Sequence, residues 1–130
     1  MKLQASAPTA LNTFTAYGEG YVMVNGERYE GGNAGPNATG LIVLPERILP
    51  WEVAGFAALE EAHFKVFAEL NLEILLLGTG PRQRFPHPRL TRALAERRIG
   101  VEAMDLQAAC RTYNILMAEE RRVAAALLFA

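Results

Sequence analysis

The chain has 130 residues, 51% of them apolar and 21% charged. That is the size and balance of one soluble globular domain, long enough to bury roughly two-thirds of its unfolded surface, and it excludes a disordered or fibrous chain. Thirteen basic and fourteen acidic side chains leave a net charge of -1, so no nucleic-acid partner is expected.

Residues 1–10 show no period and are expected to form a flexible N-terminus, with 11–130 as a single domain. Residues 11–17 alternate and carry β-formers, and Gly18-Glu19-Gly20 turns the chain. Tyr21–Val24 reads as a strand. Asn25-Gly26 then gives a strong hairpin signal, because a type I′ turn needs positive φ at both central residues. Glu27–Glu30 is the returning strand, and the glycine-rich 31–37 is a loop. Gly40–Leu44 reads as a buried strand, and Pro45–Pro50 as irregular chain before Trp51 and Val53.

Over 56–70 the period becomes helical. Phe56, Leu59, His63, Val66, Phe67 and Leu70 share one face, and Glu61 and Lys65 are spaced for an ion pair. Glu73–Leu77 is a near-continuous apolar run of the kind found in strands buried on both faces. It leads into Gly78-Thr79-Gly80 and a loop holding Pro81, Pro86 and Pro88, the last placed to open a helix. Leu90, Ala93 and Leu94 stripe that helix, Gly100 restarts the chain, and Val101–Met104 is the next strand. Asp105, the one aspartate, is placed to cap a helix whose buried face carries Leu106, Ala109, Cys110, Tyr113, Leu116 and Met117. Val123–Phe129 is the closing strand; at a sheet edge it would invite self-association. The elements predict an α/β fold: a single three-layer domain with a central mixed β-sheet, an N-terminal β-hairpin and a C-terminal βαβαβ unit with right-handed crossovers.

No apolar stretch approaches the ~20 residues of a membrane span, and the first residues contain no apolar core of a secretory signal. No membrane insertion and a cytoplasmic location are expected. One cysteine and two separated histidines, His63 and His87, make neither a disulfide nor a metal site. No cofactor is expected.

Charge is uneven. Residues 1–73 carry a net -5, while 82–98 hold six arginines against Glu96, a net +5. Such a block either pairs with the acidic half of the chain or docks an acidic partner, with Arg89 and Arg92 as candidate docking residues. The second candidate feature is the Gly78–Gly80 loop, since ligands of open α/β sheets bind beyond the carboxyl ends of strands. Gly78, Thr79 and Gly80 would offer backbone contacts, Arg82 or Arg84 charge, and Asn114 orientation, for a small anionic metabolite, with Asp105 also among the candidate binding residues. The dinucleotide fingerprint fails at Gln83, where a glycine is needed, and a tight turn needing small residues explains the loop equally simply. Cys110, on the buried helical face, reads as an inert thiol rather than a nucleophile.

Four segments together carry a family resemblance: Ile74–Gly80, Gly100–Asp105, Ala108–Leu116 and Arg121–Leu127, supported by Tyr17-Gly18, the hairpin and Trp51. Over about residues 11–128 the chain resembles the small α/β family that includes mitochondrial complex I assembly factor three and the adipogenesis-associated domain protein. The resemblance implies a three-layer fold with a mixed sheet, and no cofactor, metal or catalytic activity. The chain departs from the family at Leu106, where many members have threonine, and at Glu120, where many have glycine. The function expected is that of a non-enzymatic accessory or interaction protein assisting respiratory complex I assembly, with subunits of that complex as partners. The alternative is an anionic-metabolite binding domain at Gly78–Gly80.

Overall fold

A computed structural model describes residues 11–31 and 40–130. The terminus expected to fray and most of the 31–37 loop lie outside these. Among the described residues the chain forms β1 (Phe14–Gly18), β2 (Tyr21–Val24), β3 (Glu27–Glu30), β4 (Gly40–Leu44), β5 (Arg47–Trp51), α1 (Glu61–Lys65), β6 (Ile74–Thr79), α2 (Arg92–Glu96), β7 (Gly100–Met104), α3 (Leu106–Ala118) and β8 (Val123–Leu128). Short 3₁₀ turns flank α1 and precede α2.

Five strands form one mixed sheet in the order β5-β4-β8-β6-β7. β6 pairs in parallel with both β7 and β8, as two crossovers through α2 and α3 require, and β4 joins β8 antiparallel. The last strand is therefore central, and every residue of Val123–Leu128 is buried. It offers no edge for self-association.

Strand alternation divides the core into two clusters, one on each face of the sheet. On one face Ile42, Leu44, Leu75, Leu77, Ala124, Ala126 and Leu128 meet Phe64 and Phe67 from the α1 region and Leu90 and Leu94 from the α2 region. On the other, Leu41, Val43, Leu76, Val123, Ala125 and Leu127 meet Leu106, Ala109, Cys110 and Tyr113 of α3, together with Phe14, Val22 and Val24. Three layers result. The third contains a separate three-stranded sheet, β1-β2-β3. Its Asn25-Gly26 turn has φ of 52° and 85°, as the type I′ geometry demands.

Two other expectations are corrected. The 45–50 stretch is not irregular: it turns at Pro45-Glu46 and returns as β5, antiparallel to β4. Pro50 is tolerated because β5 is an edge strand, where the missing N–H breaks no ladder. Residues 56–70 are not one helix. Leu59 (ψ 133°) and Glu60 (ψ 167°) are extended, and α1 passes after Lys65 into a 3₁₀ turn, Val66–Glu69. Phe64 and Phe67 both lie edge-on to Trp51, at 5.8 and 5.7 Å between centroids. A three-residue repeat stacks them on one side more directly than α-helical spacing does. Val66 is left 43% exposed, off the face assigned to it. Glu61 and Lys65 form no ion pair; the ion pairs among the described residues lie elsewhere.

Candidate functional site

The carboxyl end of β6 runs into the Gly78–Gly80 loop beneath the first turn of α3. A Cβ on Gly78 would come within 2.8 Å of Leu127 Cδ2 and 3.2 Å of the Ala109 methyl. The glycine is what lets α3 lie directly on the sheet. Gly80 has φ of 83°, which reverses the chain, and its carbonyl accepts the Leu106 N–H at 2.8 Å.

Thr79 is fully buried, and its hydroxyl oxygen serves three backbone groups. It accepts the Arg84 N–H at 2.9 Å and lies 2.7 and 3.2 Å from the Arg82 and Met104 carbonyls, to which its proton is directed. The Arg84 guanidinium folds back over the same loop. It donates to the Thr79 carbonyl and, at 3.0 Å, to the Ala130 carbonyl, and stacks 4.8 Å above the Phe56 ring. Asp105 caps α3 through the Ala108 N–H at 2.9 Å. Asn114, two turns along α3, is directed elsewhere: its amide exchanges two hydrogen bonds with the backbone of Phe14.

The sheet edge thus brings together Gly78, Thr79, Gly80, Arg84 and Asp105, leaves Arg82 exposed beside them, and places Asn114 on β1. A cleft of about 280 Å³ opens there between Gly18–Gly20, Gly80-Pro81 and Asp105–Gln107. Its charged lining groups are Glu19 and Asp105, which repel an anion rather than attract one.

Cys110 is fully buried, and burial followed by the Asp105 charge pushes its thiol up to about 12. It carries no thiolate near neutral pH. His63 is half-buried, and its Nδ1 accepts the Glu60 N–H at 2.9 Å; His87 Nδ1 accepts the Arg89 N–H at 3.1 Å. Among the described residues no cluster of three metal-ligating side chains occurs, and no helix is long and apolar enough to cross a membrane.

The arginine block behaves differently. Arg97 pairs with Glu69 at 3.2 Å and donates to the Ala68 carbonyl. Arg84 is held as described. Arg82, Arg89, Arg92 and Arg98 are exposed, and among the described residues none has a carboxylate within ion-pair distance. Pairing with the acidic half of the chain therefore accounts for one arginine of the six. Sequence reasoning missed Phe85, which lies within this block and whose side chain is 72% exposed. Its position between Arg84 and Pro86 was the available signal, since no helical or strand period calls for a phenylalanine there. It also missed the fork at the far end of the sheet, where Arg121 Nε and Arg122 Nη1 hold Glu73 at 2.9 and 3.4 Å. Two hydrogen bonds from these residues draw the Glu73 carboxyl below its ordinary range.

Comparison with known proteins follows the whole fold rather than one site. The family model described as a protein of unknown function (DUF498/DUF598) matches residues 14–128. NADH dehydrogenase (ubiquinone) 1 alpha subcomplex assembly factor 3 of Bos taurus is 35% identical over 128 residues, 97% of this chain. The chain spans 65% of that relative's length. The crystal structure of a Bordetella parapertussis protein superposes with a TM-score of 0.83 at 44% identity, covering 95% of this chain and all of that one. The solution structure of a Bordetella pertussis protein, described as a Mth938-like domain, gives a TM-score of 0.76 at 38% identity, over 98% of this chain and 92% of that one. The positive φ of Glu120, 63°, is the geometry a glycine adopts freely, at the position where the family resemblance placed one. The chain belongs to the DUF498/DUF598 family.

Proposed function

We propose that the chain is a non-enzymatic accessory domain that docks to subunits of a respiratory NADH dehydrogenase during assembly, through the arginine-rich face around Arg89 and Arg92. The observation that carries this reading is the 35% identity to a complex I assembly factor, which runs the length of the domain rather than through an isolated motif. Two features agree with it. Thr79, Arg84 and Asp105 at the Gly78–Gly80 edge are hydrogen-bonded to the protein's own backbone, and the thiol of Cys110 is buried, which supports a docking rather than a catalytic role. Arg89 and Arg92, by contrast, stand exposed, with no ion-pair partner among the described residues. In this reading the domain works in the cytoplasm without a cofactor.

The test is affinity capture of the tagged chain from its own host, followed by identification of NADH dehydrogenase subunits. Recovery of those subunits by the native chain, and their loss from the Arg89→Glu/Arg92→Glu variant, is the expected result. Equal recovery by both overturns the docking face. No recovery by either overturns the assembly role.

A further inference from the structure

We propose that the free edge of β7 is a strand-addition site for an acidic, extended peptide segment of a partner protein. This deepens the docking reading by naming what the arginine-rich face takes, and it rests on that reading only in supposing a protein partner.

Among the described residues β7 is the last strand of the main sheet, with β6 on one side and no strand on the other. Backbone groups of successive residues in a strand point alternately to its two sides. The Gly100 N–H is directed to the Glu73 carbonyl and the Met104 carbonyl to the Thr79 hydroxyl, both toward β6. Val101 and Ala103 therefore turn their N–H and C=O groups outward. The Ala103 carbonyl shows what that edge accepts: an amide N–H, here supplied by the Gln83 side chain at 2.8 Å. Gln83 is exposed, so a peptide N–H can replace it at little net cost in hydrogen bonding.

Alongside the edge lies a groove of about 310 Å³ lined by Gln83, Phe85, Pro86, Pro88, Thr91 and residues 101–103. Phe85, 72% exposed, gives it an apolar wall without burying its own ring. An exposed strand edge beside an exposed aromatic is the arrangement that added strands use, with backbone bonds giving affinity and side-chain contacts giving choice.

Charge selects the occupant. Arg82 and Arg92 are exposed and adjoin the lining residues Gln83 and Thr91 in sequence, within a segment of net +5, whereas Arg89 lines a separate cleft with Glu60 and Glu61. Glu102 is the one charged residue in the groove's own lining, and the two arginines at its rim outweigh it. A second copy joining edge to edge would bring two such basic segments together, which disfavours it. A segment alternating acidic and apolar residues places carboxylates toward the arginines and apolar side chains against Phe85.

The probe is a fluorescein-labelled, end-capped peptide of about six residues, a usual strand length, alternating Glu and Val. Its counterpart alternates Lys and Val. The expected result is saturable polarisation of the Glu peptide but not the Lys peptide. Affinity should fall with salt and drop roughly tenfold or more in Arg82→Glu/Arg92→Glu. The Val101 and Ala103 amides should gain protection from hydrogen exchange on binding. Val101→Pro, which removes an outward N–H on an edge strand, should abolish binding. Phe85→Ala alters an exposed side chain, leaves the fold intact, and should weaken binding as well. Absence of binding up to about 1 mM, equal binding of the Lys peptide, or protection at β5 instead of β7 overturns the proposal. A negative result with the peptide, beside successful capture of NADH dehydrogenase subunits, removes the strand-addition site and leaves the assembly role standing.

Discussion

Asn114 and Phe14 are a hundred residues apart in the chain and exchange two hydrogen bonds of 2.9 Å, the Phe14 N–H to Asn114 Oδ1 and Asn114 Nδ2 to the Phe14 carbonyl. A side-chain amide here does what a neighbouring strand would do for β1, and so fastens the small sheet to α3. Phe14 then lies edge-on to Tyr113 at 5.1 Å, and the Tyr113 hydroxyl donates to the Asn12 carbonyl at 2.9 Å. Replacing Asn114 with alanine leaves both Phe14 groups without a partner. The expected loss is about 1–3 kcal/mol in denaturant unfolding, with faster hydrogen exchange at Phe14. A variant as stable as the native chain would show that packing alone holds the small sheet.

Gly78 tests whether the glycine loop is a packing device. Gly78→Ala puts a methyl against Leu127 and Ala109. It should destabilise the domain by about 1–3 kcal/mol, read by denaturant titration, with partner capture at low temperature retained. Loss of capture without loss of stability would instead mark the loop as a binding element.

Cys110 should react with iodoacetamide in native protein only as fast as the structure opens. Its thiol is pushed up to about 12, so at pH 8 the thiolate is scarce as well as shielded. Alkylation at the rate of a free thiol would contradict this placement of α3.

Glu73 links stability to pH. Its folded-state value lies below the ordinary 4.5, so its contribution is present above that value and is lost as pH falls through the lower one. Glu73→Gln removes the Arg121–Arg122 fork. The fall in Tm between about pH 6 and pH 3 should therefore be smaller in the variant than in the native chain. Equal falls would mean that the fork is matched in the unfolded state.

The C-terminal half was readable from the sequence because each element there obeys one local rule. Ile74–Leu77 is apolar on both faces, Asp105 caps α3, and the helical period from Leu106 to Tyr113 is unbroken. β5 was hidden because Pro50 reads as a break unless the strand is known to lie at an edge. The helix over 56–70 was over-read because apolar spacings of three and four residues suit both α and 3₁₀ geometry; the choice is made by Trp51, distant from Phe64 and Phe67 in sequence. At the candidate site, Asp105 and the turn at Gly80 were visible as local signals. The roles of Arg84 and Asn114 were not, since their partners Ala130 and Phe14 come near only in the folded chain.

The role proposed for this domain is assistance in assembling a respiratory NADH dehydrogenase through its exposed arginine face. The most direct measurement is complementation. The chain is deleted in its own host, and fully assembled NADH dehydrogenase is quantified in membranes carrying the native chain or the Arg89→Glu/Arg92→Glu variant. Both side chains are exposed, so the two proteins should unfold within about 0.5 kcal/mol of each other. Assembled complex should fall on deletion, return with the native chain, and stay low with the variant. Undiminished complex after deletion, or full restoration by the variant, would contradict the proposed role.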